Sequence, residues 1–229
     1  LTFDYDSLSV PIEQTARDLK AALEAVGCRK NEQREVILIA HSMGGLVSRW
    51  LLEEEGGDAL ISTFVEVGSP NAGSPWASAY DVFLNGMGTV LNFLPIPSVV
   101  NSLLSFVSKA WDKVEVTQQQ LRPDSEVVNT LNRKGKQAPI PYLIIPGDSS
   151  LIPDDGTRSK LIARLLERLK SGAVNALFEA ANDDIVSVAS MKAVPEGNVR
   201  VVDAAACDHF GYFNTDAGIE RLGEVLWEV

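Results

Sequence analysis

The sequence has few of the residue types that disulfide frameworks, metal centres and nucleic-acid interfaces need. Its 229 residues include two cysteines, two histidines, and 20 lysines and arginines against 31 aspartates and glutamates. Two cysteines are too few for a disulfide framework and leave the redox compartment open. The net charge of -11 leaves no basic surface for a phosphate backbone, so we expect no nucleic-acid partner. We also expect no metal, because Cys207, Asp208 and His209 are consecutive rather than spaced as ligands.

Long uninterrupted apolar runs are also absent. The longest apolar region, residues 90–107, is broken by Pro95, Pro97 and several asparagines and serines. A membrane span needs about 20 continuous apolar residues, so we predict no transmembrane segment. The chain begins at Leu1 and shows no basic segment followed by an apolar run, which is the pattern of a signal peptide. These features slightly favour the cytoplasm, leave localisation open, and lead us to expect that the chain is part of a longer polypeptide.

The sequence does contain an alternation of strand and helix patterns. Apolar strand patterns occupy residues 1–5, 35–40, 62–68, 141–148 and 198–204. The unalternating run at 35–40 is typical of a strand buried on both faces. Helical patterns lie between them, including one opened by Pro11 and closed by Gly27, one with Leu161, Leu165 and Leu169, and one from about Asp216. Five strands interleaved with helices predict a mostly parallel sheet covered on both faces, in one domain over residues 1–229. Residues 75 to about 137 predict an inserted helical layer.

Reactive side chains follow several of these strands. Ligands of open α/β sheets bind at the carboxyl ends of the strands, where Ser42, Asp148 and His209 stand. An alcohol nucleophile needs a base for its proton and a third group that orients the base. His209 is the predicted base. His41 is adjacent to Ser42, and neighbouring side chains diverge at a tight turn, so His41 is predicted to shape the pocket beside it.

The turn at Ser42 resembles that of a known family. The segment AHSMGG, Ala40–Gly45, is similar to the nucleophile elbow G-x-S-x-G of α/β-hydrolase lipases and esterases, with alanine at the first glycine position. Residues 3–7, 68–75 and 120–132 resemble matching segments of bacterial lipases and of lecithin:cholesterol acyltransferase-like hydrolases. The resemblance implies an α/β-hydrolase fold with helices on both sheet faces and a helical lid, whose N-terminal strands would lie upstream of Leu1.

The acid of the implied triad has three candidates. In the related lipases and acyltransferases it lies in a segment like N-D-G-x-V before the histidine, which Asn182 and Asp183 match, with Asp184 at the glycine position. In simpler hydrolases the acid follows the strand before last, which would select Asp148. We favour Asp183, keep Asp148 and Asp184 open, and expect the remaining acids to cap turns or helices.

The resemblance also implies a chemistry. Ser42 would attack an ester carbonyl, His209 would move the proton, and no cofactor would be needed. The backbone N–H of Met43 would be one oxyanion donor, whereas the second would come from a loop that the resemblance places upstream of Leu1. The apolar insertion, with Leu104, Val107 and Trp111, either lines an acyl-chain channel or packs as a cap.

These expectations leave three functions open. The first is hydrolysis of a hydrophobic ester or lipid, with transient contact to a membrane surface. The second is an acyltransferase of the lecithin:cholesterol type, which differs only in the acyl acceptor. The third, from another class, is a hydrolase-like interaction module without turnover, which the intact elbow, base and acid disfavour.

Overall fold

A computed structural model describes residues 1–7, 9–28, 36–74, 115–133, 137–153 and 180–227. The strands are β1 (Ile37–His41), β2 (Thr63–Val67), β3 (Tyr142–Ile145) and β4 (Val199–Val201). The helices are α1 (Ile12–Ala25), α2 (Met43–Glu54), α3 (Glu115–Gln120), α4 (Glu126–Leu131), α5 (Val188–Met191) and α6 (Asp216–Trp227). Short 3₁₀ turns occupy Gly57–Ala59 and Ser149–Leu151.

The four strands form one parallel sheet in the order β1-β2-β3-β4. His41 is paired with Val67, and Val67 with Ile145, so the strands end at a common edge. The predicted parallel sheet is therefore confirmed, and the loops that follow its strands meet at that edge.

Apolar residues cover the sheet on both faces, as predicted. On one face, Phe64, Tyr142 and Ile144 pack with α1 and α2 in one buried cluster. On the other face, Val65, Val67, Leu143 and Ile145 pack with Tyr212 and with residues of α6. Side chains alternate between faces along β2 and β3, so both strands are buried on both sides.

Two expectations about the first strands are wrong. Residues 1–5 form no strand; the rings of Phe3 and Tyr5 stack with centroids 5.8 Å apart and pack on the core instead. A strand needs a hydrogen-bonded neighbour, whereas the partial burial of these two rings on the core does not. The sheet in the described ranges thus has four strands rather than five. β1 pairs there with β2 alone, and Ile37 and Ile39 are 39% and 40% exposed rather than buried.

The end of the predicted insertion is held by the core. The side chain of Gln120 accepts a hydrogen bond from the backbone N–H of Ile12 at 2.9 Å, which ties α3 to the start of α1. Residues 75–114, with Leu104, Val107 and Trp111, lie outside the described residues, as does the helical pattern at Leu161. No helix within the described ranges has the length and apolar character needed to cross a bilayer.

Candidate active site

Ser42 stands at a sharp turn between β1 and α2. Its φ of 55° and ψ of -131° lie in a region that L-residues rarely adopt. The turn is held by two backbone hydrogen bonds: Ser42 N–H donates to Val67 O at 3.0 Å, and Gly45 N–H donates to Ser42 O at 2.9 Å. Strained backbone of this kind persists only where the surrounding structure fixes it.

Gly45 permits the close approach of α2 to the end of β2. A Cβ atom at this position would lie 2.5 Å from both the Ser69 Cβ and the Glu66 Oε1 atoms. A Cβ at Gly44 would meet only ordinary contacts, 3.8 Å from the Ala40 Cβ. Alanine in place of the first glycine of the motif therefore fits this turn, as expected.

The structure brings Ser42, His209 and Asp183 into one hydrogen-bonded row. His209 Nε2 lies 2.9 Å from Ser42 Oγ, and His209 Nδ1 lies 2.7 Å from Asp183 Oδ2. Because a carboxylate only accepts, Nδ1 carries the proton and Nε2 is left to accept from the serine hydroxyl. Asp183 is fully buried and His209 is 4% exposed. The row can pass a proton from the hydroxyl to the imidazole while the carboxylate orients the ring.

Backbone N–H groups of its own loop hold the Asp183 carboxylate in place. Asp183 Oδ1 accepts hydrogen bonds from the backbone N–H groups of Ile185 at 3.1 Å and Val186 at 2.7 Å. The His209 backbone N–H donates to Asp183 O at 2.7 Å, so the two loops are also joined through the main chain. Asp184 has a φ of 75°, a conformation that favours glycine, and it occupies the glycine position of the N-D-G-x-V pattern.

The other candidate acids have different partners. Asp148 Oδ1 accepts from the Ser150 backbone N–H at 3.0 Å and from its hydroxyl at 2.7 Å, which caps a 3₁₀ turn. Asp184 Oδ1 accepts from the Ser149 hydroxyl at 2.6 Å. Asp208, the neighbour of His209 in sequence, was not a candidate, and its Oδ1 accepts from the backbone N–H of Phe210 at 3.0 Å.

His41 contacts the backbone of His209. Its Nε2 lies 2.9 Å from His209 O, and the two imidazole rings have centroids 4.7 Å apart. Burial, followed by the nearby His209 ring, lowers the pKa of His41 from 6.5 to about 4. His41 is therefore neutral near pH 7, and its Nε2–H donates to the carbonyl. It holds the loop of the second histidine beside the turn.

Met43 is the first residue of α2, directly after Ser42. The first backbone N–H groups of a helix have no acceptor within the helix, and they form its positive end. The N–H of Met43 belongs to this positive end of α2 and follows Ser42 directly in the chain.

Apolar side chains lie exposed near the row. Phe210 is 58% exposed with its ring centroid 5.6 Å from that of His209. Phe213 is 49% exposed and meets the His41 ring edge-on at 5.7 Å. Both phenylalanines belong to the segment DHFGYF at residues 208–213, whose aromatic residues stand out in the sequence.

A buried hydrogen-bond network beneath the turn was not predicted from the sequence. Arg49 in α2 is fully buried; its Nε donates to Glu53 Oε1 at 2.9 Å and its Nη1 to Asn71 Oδ1 at 3.0 Å. Asn71 Nδ2 donates to Glu66 Oε2 at 3.0 Å and to Met191 O at 2.9 Å. The loop after β2 thus links α2 to α5, which follows the Asp183 loop. The segment GSPNAGSP was singled out only by resemblance.

No group of three or more His, Cys, Asp or Glu in the described part of the chain could hold a metal ion.

Solved structures with the same fold include lipases and esterases. The lipase BlEst2 from Bacillus licheniformis in mature form matches with a TM-score of 0.52 at 16% identity, over 95% of this chain and 74% of that one. A metagenomic carboxyl esterase, MGS0156, matches with a TM-score of 0.55 at 15% identity, over 95% and 62%. Lipase 1 from Pelosinus fermentans matches with a TM-score of 0.52 at 18% identity, over 89% and 74%.

These matches, together with the parallel sheet, define an α/β-hydrolase fold. The chain spans 62% of the metagenomic esterase and, with a TM-score of 0.53 at 13% identity, 48% of the phospholipase PlaB from Legionella pneumophila in complex with thio-NAD. Residues 1–227 match a family model described as a domain of unknown function, DUF7379, and the chain belongs to this family. No curated protein sequence matches the chain.

Proposed function

We propose that the protein is a serine hydrolase that cleaves carboxylic ester bonds through an acyl-enzyme. The observation that carries this proposal is the row Ser42–His209–Asp183, with hydrogen bonds of 2.9 and 2.7 Å, at the N-terminus of α2. A nucleophile, a base and an orienting carboxylate in this arrangement are the requirement for activating an alcohol.

The reaction runs in two halves. Ser42 Oγ attacks the ester carbonyl while its proton moves to His209 Nε2, and Asp183 stabilises the imidazolium. The Met43 N–H donates to the oxyanion, which collapses as the imidazolium protonates the leaving alcohol. Water then gives a proton to His209 and attacks the acyl-enzyme. The imidazolium returns this proton to Ser42 Oγ as the bond to the acyl group breaks, which releases the acid and restores both residues. In both halves the hydrogen bond from His41 to His209 O holds the His209 loop in place.

We propose a hydrophobic acyl group as the substrate class. Phe210 and Phe213 present exposed rings beside His209 and His41, where an acyl chain would lie. Leu104, Val107 and Trp111, which lie outside the described residues, are proposed to bind the acyl chain as well. The similar structures named as lipases and as a carboxyl esterase agree with an ester substrate. Transfer to an alcohol acceptor would use the same acyl-enzyme.

Turnover of p-nitrophenyl esters tests the proposal. Ser42→Ala and His209→Ala are expected to lower kcat by about 10⁴- to 10⁶-fold, because the two side chains act as one unit. Ser48→Ala is the matched serine control, since the Ser48 hydroxyl bonds Gly44 O within α2. His41→Ala is the histidine control, and its loss is expected to be far smaller than that of His209→Ala.

The ester series also tests the acyl preference. Turnover is expected to rise from acetyl to longer acyl chains; an optimum at the shortest chain contradicts the hydrophobic substrate. Equal loss in the two histidine variants contradicts the assignment of His209 as the base.

A further inference from the structure

We infer that Tyr212 is a positioning residue that holds the carboxylate of Asp183 in the orientation that His209 needs. The inference rests on the proposed function and adds a residue to its machinery. Tyr212 lies three residues after His209, and its hydroxyl donates to Asp183 Oδ2 at 2.9 Å. This is the same oxygen that accepts from His209 Nδ1 at 2.7 Å.

Four hydrogen bonds from the described residues reach the Asp183 carboxylate, two on each oxygen. Oδ1 accepts from the two backbone N–H groups of its own loop, and Oδ2 accepts from His209 and Tyr212. Asp183 and Tyr212 are 0% and 1% exposed. Without the tyrosine hydroxyl, Oδ2 keeps one donor against two on Oδ1, so the carboxylate plane is less firmly held toward the imidazole.

The sheet edge makes room for the Tyr212 ring. A Cβ at Gly68, after β2, would lie 2.7 Å from the ring atom Cε2, and a Cβ at Gly147, after β3, would lie 2.7 Å from Cζ. Gly68 has a φ of 59°, so its backbone alone favours glycine. The φ of Gly147 does not lie in the left-handed region, so its backbone conformation does not require glycine. A glycine fits here because a side chain would collide with the Tyr212 ring.

The Tyr212 hydroxyl keeps its proton and can therefore donate to Asp183. Burial, followed by the negative charge of Asp183, raises the pKa of Tyr212 far above its ordinary value, so the phenol keeps its proton. Burial likewise raises the pKa of the Cys207 thiol to about 12, and the lowered pKa of His41 leaves that ring neutral. Near pH 7 the Cys207 thiol and the His41 ring are therefore both uncharged, and neither forms an ion pair with Asp183 or repels it.

Tyr212→Phe tests the inference, with Tyr142→Phe as its matched control. Tyr142 is also fully buried, and its hydroxyl donates to the carboxylate of Glu53 at 3.2 Å, in the cluster on the opposite sheet face. Both changes remove one buried hydroxyl and keep the ring. We expect Tyr212→Phe to lower kcat for the p-nitrophenyl ester about 10-fold with KM unchanged, because it weakens one bond to a charged group. Tyr142→Phe is expected to leave kcat within about twofold.

A second variant disturbs the same residue from outside. Gly147→Ala is expected to displace the Tyr212 ring and to lower kcat in the same way. Gly223→Ala is its control, because a Cβ there meets nothing within 4 Å. Wild-type kcat in both Tyr212→Phe and Gly147→Ala overturns the inference.

The proton between His209 and Asp183 gives a readout that does not depend on turnover. Its downfield resonance in the proton NMR spectrum is expected to shift in Tyr212→Phe and to stay in place in Tyr142→Phe. An unchanged resonance in Tyr212→Phe overturns the inference. Absence of ester turnover in the wild type overturns the proposed function, whereas an active wild type with equal kcat in the two phenylalanine variants overturns the role of Tyr212 alone.

Discussion

Glu66 is a buried carboxyl group in the middle of β2, on the face that packs against α2. Its side chain is fully buried and its Oε2 accepts from Asn71. Burial raises the pKa of Glu66 from 4.5 to about 7, and the positive charge of Arg49 opposes that rise without cancelling it. The folded protein therefore keeps a proton on Glu66 that the unfolded chain has already released.

This difference predicts how stability depends on pH. Between about pH 4.5 and about pH 7 the folded state binds more protons at Glu66 than the unfolded state, so the free energy of unfolding falls as pH rises. The contribution is on the order of 3 kcal/mol at most. Glu66→Gln removes it, since an amide does not titrate.

Urea unfolding at about pH 5 and about pH 7.5 measures the effect. We expect the wild type to lose stability relative to Glu66→Gln over this interval. Parallel pH profiles of the two proteins would show that Glu66 ionises in the folded state at its ordinary pKa.

Single residues of the site differ in how far the sequence predicts them. Ser42 is predicted because the elbow is local, and His209 because the chain has only two histidines. Asp183 is favoured over Asp148 only by resemblance, and the structure places Asp183 rather than Asp148 against His209. Tyr212 was not predicted, because its contact depends on how the last loop folds back over β2 and β3. Nor was Arg49, because charged residues are rarely buried unless paired.

At the scale of elements, the join of β1 to α2 depends on how closely α2 passes the end of β2. Gly45→Ala is expected to lower stability by about 1–3 kcal/mol, because its Cβ would force Ser69 and Glu66 to move. Gly223→Ala in α6 is the control, and it is expected to raise stability by about 0.5–1 kcal/mol. Urea unfolding measures both changes. A neutral Gly45→Ala would show that α2 can shift away from the sheet.

Elements with strong local patterns were predicted with their type correct. β2 and β3 came from apolar strand patterns, the first ended by Gly68 and Pro70, and α1 came from an apolar face between Pro11 and Gly27. The prediction for residues 1–5 is wrong because a short segment becomes a strand only where another strand pairs with it. The local apolar pattern carries no information about such a partner. β1 was predicted as a strand, but its exposed isoleucines reflect its place at the edge of the described sheet, which is a property of the whole sheet.

At the scale of the molecule, one row of three side chains is assembled from distant parts of the chain. Ser42 comes from the turn after β1, His209 from the loop after β4, and Asp183 from the loop before α5. The parallel sheet is what brings these loops to one edge. Hydrogen bonds of Asn71 and His41 then tie the loops to one another.

Covalent labelling of the intact protein with a fluorophosphonate probe measures whether Ser42 is an activated nucleophile. We expect one adduct, mapped by mass spectrometry to the peptide that contains Ser42, and none in Ser42→Ala. Asp183→Asn is expected to be labelled about 10³- to 10⁴-fold more slowly, because an amide favours the wrong imidazole tautomer. Asp148→Asn, the matched control, should be labelled near the wild-type rate. Absence of an adduct on Ser42, or equal labelling rates in Asp183→Asn and Asp148→Asn, would contradict the account.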